Sequence, residues 1–243
     1  VHQTDLVGPR HVRGPRGVTR FFAFHTLDLV SRAAAASYRG DKGTEAFCGH
    51  FLHAWRLLGV PAVSQLDNEL AVVGGNPSGF TFSQVLRLGV LLGVHWWFIP
   101  PGEPGRNPDI ESFNGLWQGR VLDRHRCPDL AAVRRTSARF LRYHHGTPHR
   151  RLRVATQGSR FPGVVLAAAR PQLRPVPAGF SLAPYRDAQG ALHLPLARGR
   201  ISFVRRVGGA GTIALPGGRG RVGRRRAGQY VVATLYTHRR EIV

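Results

Sequence analysis

A chain of 243 residues with 42% hydrophobic content can bury a sizeable core, as one large domain or two smaller ones. Its 35 Lys and Arg against 13 Asp and Glu give a formal net charge of +22, and the pI near 11.8 points to a polyanionic partner, nucleic acid first. No signal peptide or long apolar span is present, and Cys48 and Cys127 are too few for a disulfide framework or a zinc site, so a soluble, cytoplasmic protein is expected.

In chain order, residues 1–7 read as a strand ending near Asp5, and 8–17 as a turn-rich basic loop. Residues 18–30 are rich in β-branched and aromatic side chains and predict a second strand, with 33–38 as its hairpin return. From Thr44, a good N-cap, Phe47, Phe51, Trp55 and Leu58 recur at helical spacing until Gly59 and Pro61 end the helix. Cys48 falls on this apolar pattern and reads as core. Residues 61–67 form a short fourth strand. Ser78 caps a helix running to about Leu92, and 94–100 is a strand with buried aromatics. The Gly/Pro-rich loop 101–109 suits movement near a substrate. A helix follows over 109–122, with Ile110, Phe113, Trp117 and Val121 on its apolar side and Glu111, Asn114 and Gln118 on another face. Residues 129–145 make a second, basic amphipathic helix.

From about 181 the pattern changes to short strands, such as 199–207, 211–215 and 229–236, separated by Gly-rich turns. This predicts a small antiparallel barrel or sandwich. The division expected is therefore 1–155, a linker over 156–180, and 181–243. Charge is uneven between the halves. Residues 1–150 hold 18 basic and 11 acidic residues, a net +7, while 151–243 hold 17 and 2, a net +15. The C-terminal part is the stronger electrostatic anchor. No Met occurs and Val1 already reads as strand, so the chain is expected to be a fragment of a longer protein.

Three of the scarce acids stand out: Asp5 and Asp67 at strand ends and Glu111 on a helix. Such a set can converge on a divalent cation, because hard ions such as Mg²⁺ prefer oxygen ligands. Three carboxylates at ~4 Å repel by roughly 4 kcal/mol per pair at an effective dielectric near 20, a cost that bound cations remove. On a basic protein the natural substrate of such a site is a phosphodiester. Asp28 is the rival ligand, although its place near a hairpin turn favours local hydrogen bonding. Asp109 reads as a helix cap. Asn114 reads equally as a contact to substrate or metal-bound water and as a plain exposed helical residue.

The segments QTDLVG, HTLDLVSR, LGVPAVSQLDNE, HWWFIPPGEPGRNPDIESFNG and RYHHGTPHRRL, taken together over about residues 1–155, resemble the catalytic core of DDE transposases and retroviral integrases. The resemblance implies an α/β, ribonuclease-H-like core with a mixed five-stranded sheet and flanking helices, followed by a small C-terminal antiparallel β-barrel. It implies a bacterial insertion-sequence transposase that cleaves and joins DNA strands with two Mg²⁺ or Mn²⁺ ions, working as a homo-oligomer on DNA. Asp5 would bridge both ions, with Asp67 and Glu111 each holding one. The acids stand 62 and 44 positions apart, and Glu69 stands where the family usually has Gly. A remnant that only binds DNA, or a nuclease that cleaves without joining, are the competing readings.

Asn114, Arg120, Arg205, Arg206 and Arg224, Arg225 and Arg226 are the candidate DNA contacts. The G-x-G-x-x-G at Gly218, Gly220 and Gly223 precedes a strand, so it reads as a tight basic turn and not as a dinucleotide loop. His144, His145 and His149 read as structural or DNA-facing, and Trp96 and Trp97 as strand aromatics packed in the core.

Overall fold

A computed structural model describes residues 1–15, 17–68, 72, 81–152, 160–239 and 241–243. Strands β1 (His2–Gly14), β2 (Gly17–Asp28) and β3 (Ala34–Arg39) are followed by helix α1 (Thr44–Leu58), strand β4 (Val63–Leu66), helix α2 (Gln84–Leu91) and strand β5 (His95–Phe98). Helices α3 (Pro108–Trp117), α4 (Leu130–His145) and α5 (Pro162–Ala169) come next. Strands β6 (Arg200–Arg206), β7 (Thr212–Leu215), β8 (Gly218–Arg221), β9 (Tyr230–Tyr236) and β10 (Glu241–Ile242) complete the order. The chain forms two compact units: Val1–Lys42, Gly49–Pro61 and Pro108–Val176 make the first, and Gly43–Cys48, Ala62–Asn107 and Pro177–Val243 the second.

In the first unit β1, β2 and β3 pair antiparallel in sequence order. The run Ala33 to Ala36 shows why such small residues suit β3. Alternate side chains point to opposite faces. Ala34 and Ala36 pack with Ile110, Phe113 and Trp117 of α3 and Val133 and Phe140 of α4, whereas Ala33 and Ala35 pack with Ala54 and Leu58 of α1. A methyl group on each face lets helices approach closely on both sides.

The expected loop over 8–17 is instead strand as far as Gly14 and again from Gly17. The ladder breaks once, between Val7 and Arg10, and then runs on to Gly14↔Gly17. Pro9 lacks the N–H that the ladder needs, so the Gly-Pro pair makes an irregularity and not a turn. Residues 156–180, expected as a linker, contain α5, whose Pro162 occupies a first-turn position where a missing N–H costs nothing. The sequence PGVVLAAA is apolar on all sides, so it carries no helical stripe to read.

The second unit holds a mixed sheet in the order β4, β5, β6, β9, β10. β4, β5 and β6 run parallel, while β9 is antiparallel to β6 and β10 to β9. This departs from the separate C-terminal barrel expected over 181–243. Ile201, Ser202 and Phe203 are all buried, so β6 is covered on both faces and takes a partner at each edge. Phe203 stacks on Phe98 of β5 with ring centroids 5.1 Å apart. Only β7 and β8 stand apart, as a two-stranded hairpin. The helix expected from Ser78 is described from Gln84, capped by Ser83, whose hydroxyl accepts from the Leu86 N–H at 3.1 Å. Residue 78 lies outside the described residues. Cys48 is fully buried, and its thiol is pushed up to about 12 by burial. Among the described residues no helix is long and apolar enough to cross a membrane.

Candidate active site

Helix α3 and the turn that follows it, Gln118–Leu122, meet β1 through three hydrogen bonds. The Gln3 Oε1 accepts from the Ile110 N–H at 3.1 Å, satisfying one of the donors that a helix start leaves open. The Asn114 Nδ2 donates to Asp5 Oδ2 at 2.6 Å. The Arg10 guanidinium donates to Gln118 Oε1. The face carrying Asn114 and Gln118 is therefore the face turned to β1, while Ile110, Phe113 and Trp117 fill the core.

Asp5 lies inside β1 rather than at its end, and is half-buried. Its Oδ1 also accepts from the Leu6 N–H at 2.8 Å. Glu111 is half-buried in the first turn of α3, one turn before Asn114. Directly across the ladder from Asp5 stands His25. Its ring is completely buried, edge-on to Trp117 at 4.8 Å and to Phe113 at 5.3 Å. The His25 Nδ1 lies 2.6 Å from Asn114 Oδ1. Burial pulls the imidazole down to about 4, offset in part by the Asn114 bond, so it is neutral at physiological pH. Neither His25 nor Gln3 was among the sequence candidates, and no local motif marks either.

Asp67 belongs to the second unit, just past β4, and is exposed. Its neighbours on both sides are tied down. Gln65 Nε2 donates to Asn107 Oδ1 at 2.7 Å and to the Arg106 carbonyl at 2.9 Å. Asn68 Nδ2 donates to the Ile99 carbonyl at 2.6 Å. Glu69 lies outside the described residues. Among the described residues no group of three or more His, Cys, Asp or Glu is gathered to hold a metal ion.

The rival acids have other partners. Asp28 Oδ2 accepts from the Ser31 N–H at 2.8 Å and the Ser31 hydroxyl at 2.7 Å, the local turn bonding weighed against a ligand role. Asp109 pairs with Arg32 at 3.1 Å and with Arg151. His144 Nε2 bonds the Arg32 carbonyl at 2.9 Å, and His145 Nε2 meets the Ala34 backbone at 3.0 Å, so both brace the β2–β3 turn. Trp96 is buried, its indole N–H donating to the Leu86 carbonyl at 3.1 Å.

The loop 101–109 is held to β9. Tyr230 donates to Glu103 Oε1 at 2.6 Å, Arg106 donates to Glu103 Oε2 at 2.7 Å, and the guanidinium lies 4.2 Å from the Tyr230 ring centre. These bonds hold the Glu103 carboxyl below its ordinary range.

Of the arginines, Arg206 and Arg224 to Arg226 are exposed, and the last three sit on a single 3₁₀ turn. Arg120 is half-buried, 5.2 Å from the Tyr143 ring centre. Arg205 departs from the expected phosphate contact. It is 5% exposed and donates to the carbonyls of Ala214 and Val204 at 2.8 Å and to Asn68 Oδ1 at 2.6 Å. Burial pulls its guanidinium down to about 10. The alternation of β6 turns it inward, and the guanidinium then cross-links the β7 hairpin to the segment after β4.

Residues 92–156, which include Glu111 and Asn114, match the integrase core domain family model. That segment resembles the core of the DDE transposase and integrase superfamily. Asp5 and Asp67 lie outside the matched segment. No curated protein matches the sequence. Among solved structures, a chain of the simian T-cell lymphotropic virus intasome in complex with PP2A regulatory subunit B56 gamma is 15% identical, with a TM-score of 0.54 over 91% of this chain and 78% of that one. That likeness supports an integrase-like α/β fold. The HTLV-2 integrase catalytic core domain in complex with magnesium is 17% identical over 68% of this chain and 94% of that one, with a TM-score of 0.45. The BIV integrase catalytic core domain is 12% identical over 70% and 95%, with a TM-score of 0.47.

Proposed function

We propose that this chain is a bacterial insertion-sequence transposase that cleaves DNA strands and transfers them during transposition. The observation that carries this reading is the integrase core match across Glu111 and Asn114, together with the bond by which Asn114 holds Asp5. The ligands assigned are Asp5, Asp67 and Glu111, an all-oxygen set of the kind that suits Mg²⁺ or Mn²⁺. Two such ions, when bound, supply activation of the attacking oxygen and stabilisation of the leaving oxygen in an in-line displacement. The protein's part is to keep the carboxylates in register and to hold the DNA. Asn114 orients Asp5, and the bonds from Gln65 and Asn68 steady the backbone around Asp67. Residues 1–155 serve as the catalytic part and residues 181–243 as a phosphate-binding anchor, with Arg206 and Arg224 to Arg226 exposed for that role. Arg120 is assigned to the DNA on the catalytic part. The working form is a homo-oligomer on paired DNA ends, as the intasome and the dimeric HTLV-2 core suggest by analogy.

The test is nicking of duplex DNA with Mg²⁺ or Mn²⁺ beside an Asp67→Asn control. Wild type should cleave, and the variant should lose cleavage while keeping its fold and DNA affinity. Equal cleavage by both removes Asp67 from the site. Tight DNA binding by a wild type that never cleaves favours a DNA-binding remnant. Neutralising Arg224, Arg225 and Arg226 together should weaken binding and flatten the slope of log affinity against log salt by up to ~0.9 per lost contact. An unchanged slope makes this run a solvated turn.

A further inference from the structure

The hydrogen bonds behind Asp5 form a chain whose direction is fixed at the Asp5 end. At one end is the Trp117 indole, which can only donate, and does so to Ser137 Oγ at 2.9 Å. Ser137 and Trp117 both lie beside the Tyr38 hydroxyl. Tyr38 reaches His25 Nε2 at 3.4 Å, a long contact, and the ring is fixed as well by its edge-on packing against Phe113 and Trp117. His25 Nδ1 meets Asn114 Oδ1 at 2.6 Å, and Asn114 Nδ2 meets Asp5 Oδ2 at 2.6 Å. The other end is a carboxylate, which can only accept.

The acceptor-only end dictates the protons nearest to it. Asp5 requires the amide nitrogen of Asn114, so the amide oxygen must face His25. His25 must then donate from Nδ1 and accept at Nε2. An Asn amide otherwise flips at little cost, and the flipped form sets a carbonyl oxygen against the Asp5 carboxylate. A buried, neutral Nδ1–H imidazole removes that alternative. An Asp carboxyl turns over a broad range about its second side-chain torsion, so a fixed donor at one edge narrows which lone pairs it presents.

We propose that His25 is a positioning residue, which locks the Asn114 amide and through it the edge of the Asp5 carboxylate offered to a divalent cation. The inference rests on the assignment of Asp5 as a ligand under the proposed function. A buried histidine serving only the core would fill the same volume, but nothing would then tie its tautomer to the behaviour of Asp5.

The experiment has a part independent of catalysis. In the ¹⁵N-labelled full chain, the His25 ring should show the neutral form protonated on Nδ1. A proton on Nε2 overturns the proposal, whether or not the protein cleaves DNA. The second part compares His25→Phe, which keeps the volume and removes the donor, with His25→Asn, whose amide nitrogen occupies the Nδ1 position. Mn²⁺ affinity is read by calorimetry and nicking by its kcat and KM for duplex. His25→Phe should weaken Mn²⁺ binding and lower kcat by about tenfold or more with little change in KM, the size of effect typical of groups that orient a ligand. His25→Asn should recover most of the loss. In an Asn114→Ala background His25→Phe should add nothing. Wild-type values in His25→Phe, or no rescue by His25→Asn, refute the role. A wild type that binds no Mn²⁺ and never nicks refutes the assigned function itself, and is separated from those outcomes by the wild-type measurement alone. Should His25→Phe fail to fold, the ring spectrum of the wild type still decides.

Discussion

Two glycines in helices give the same substitution opposite signs. Gly89 lies inside α2, and a Cβ built on it falls 2.2 Å from Trp96 Cε2 and Nε1 and 2.4 Å from Cζ2. Carbon pairs settle at about 3.5–4.0 Å, so the indole must retreat by roughly 1.3 Å. It has nowhere to go, being 0% exposed, and the retreat breaks the bond from its N–H to the Leu86 carbonyl at 3.1 Å. Overpacking a core costs about 1–3 kcal/mol, and a buried N–H left unpaired about 1–3 kcal/mol more. Alanine returns about 1 kcal/mol through helix propensity. The net expectation for Gly89→Ala is destabilisation by about 1–5 kcal/mol, or roughly 2–20 °C in melting temperature for a chain of this size. Gly115 in α3 is the control, because it is exposed and its Cβ meets nothing within 4 Å. Gly115→Ala should stabilise by about 0.5–1 kcal/mol. Thermal and urea unfolding followed by tryptophan fluorescence measure both. A Gly89→Ala protein as stable as the wild type would refute the placement of Trp96 against α2.

Arg205→Ala should destabilise by about 2–4 kcal/mol, because it leaves the Ala214 carbonyl and the Asn68 side chain without their donor, whereas Arg206→Ala should stay within about 0.5 kcal/mol. Unchanged stability with weakened DNA binding in Arg205→Ala would restore Arg205 as a phosphate contact. His50 is fully buried between the hydroxyls of Thr26 and Ser37, both at 2.9 Å. Burial first, and then the charges of His25, His53 and Arg39, hold its imidazole well below the ordinary 6.5. The unfolded chain therefore takes up a proton near 6.5 that the folded chain refuses. The stability tied to His50 is complete above that pH and falls as the pH drops below it, with a slope of up to about 1.4 kcal/mol per pH unit. Urea unfolding from pH 7 to 4.5 should show a shallower loss in His50→Gln than in wild type, and parallel curves would count against the buried neutral ring.

The sequence was most legible where a feature is local. Helices α1, α3 and α4 follow from their apolar spacing, and Asp129 caps α4 through a bond from the Ala132 N–H at 2.7 Å. The five strands expected before residue 101 all form. Asp28, placed near a turn by the sequence, accepts from the Ser31 N–H and hydroxyl, three positions on. The misread segments have non-local causes. Gly8 and Pro9 look like a turn in isolation, and only the partner strand carries the ladder past them. The run Arg200–Arg206 looks like part of a separate small domain, and only its parallel pairing with β5 makes it sheet interior.

Composition and pattern by themselves determined a basic, α/β chain with scarce acids on strand and helix and an integrase-like order of elements. Tertiary structure decided what stands beside Asp5. Pairing continued unbroken from Arg10↔Phe21 would set Asp5 opposite Thr26; the shift between Val7 and Arg10 sets it opposite His25 instead. Because successive strand residues point to opposite faces, that one-residue slip chooses between a hydroxyl and an imidazole as the cross-strand neighbour. Asn114 comes from 109 positions away in sequence. Its meeting with Asp5 depends on the burial of Phe113 and Trp117 in the core, which sets the rotation of α3 and so aims its polar face at β1.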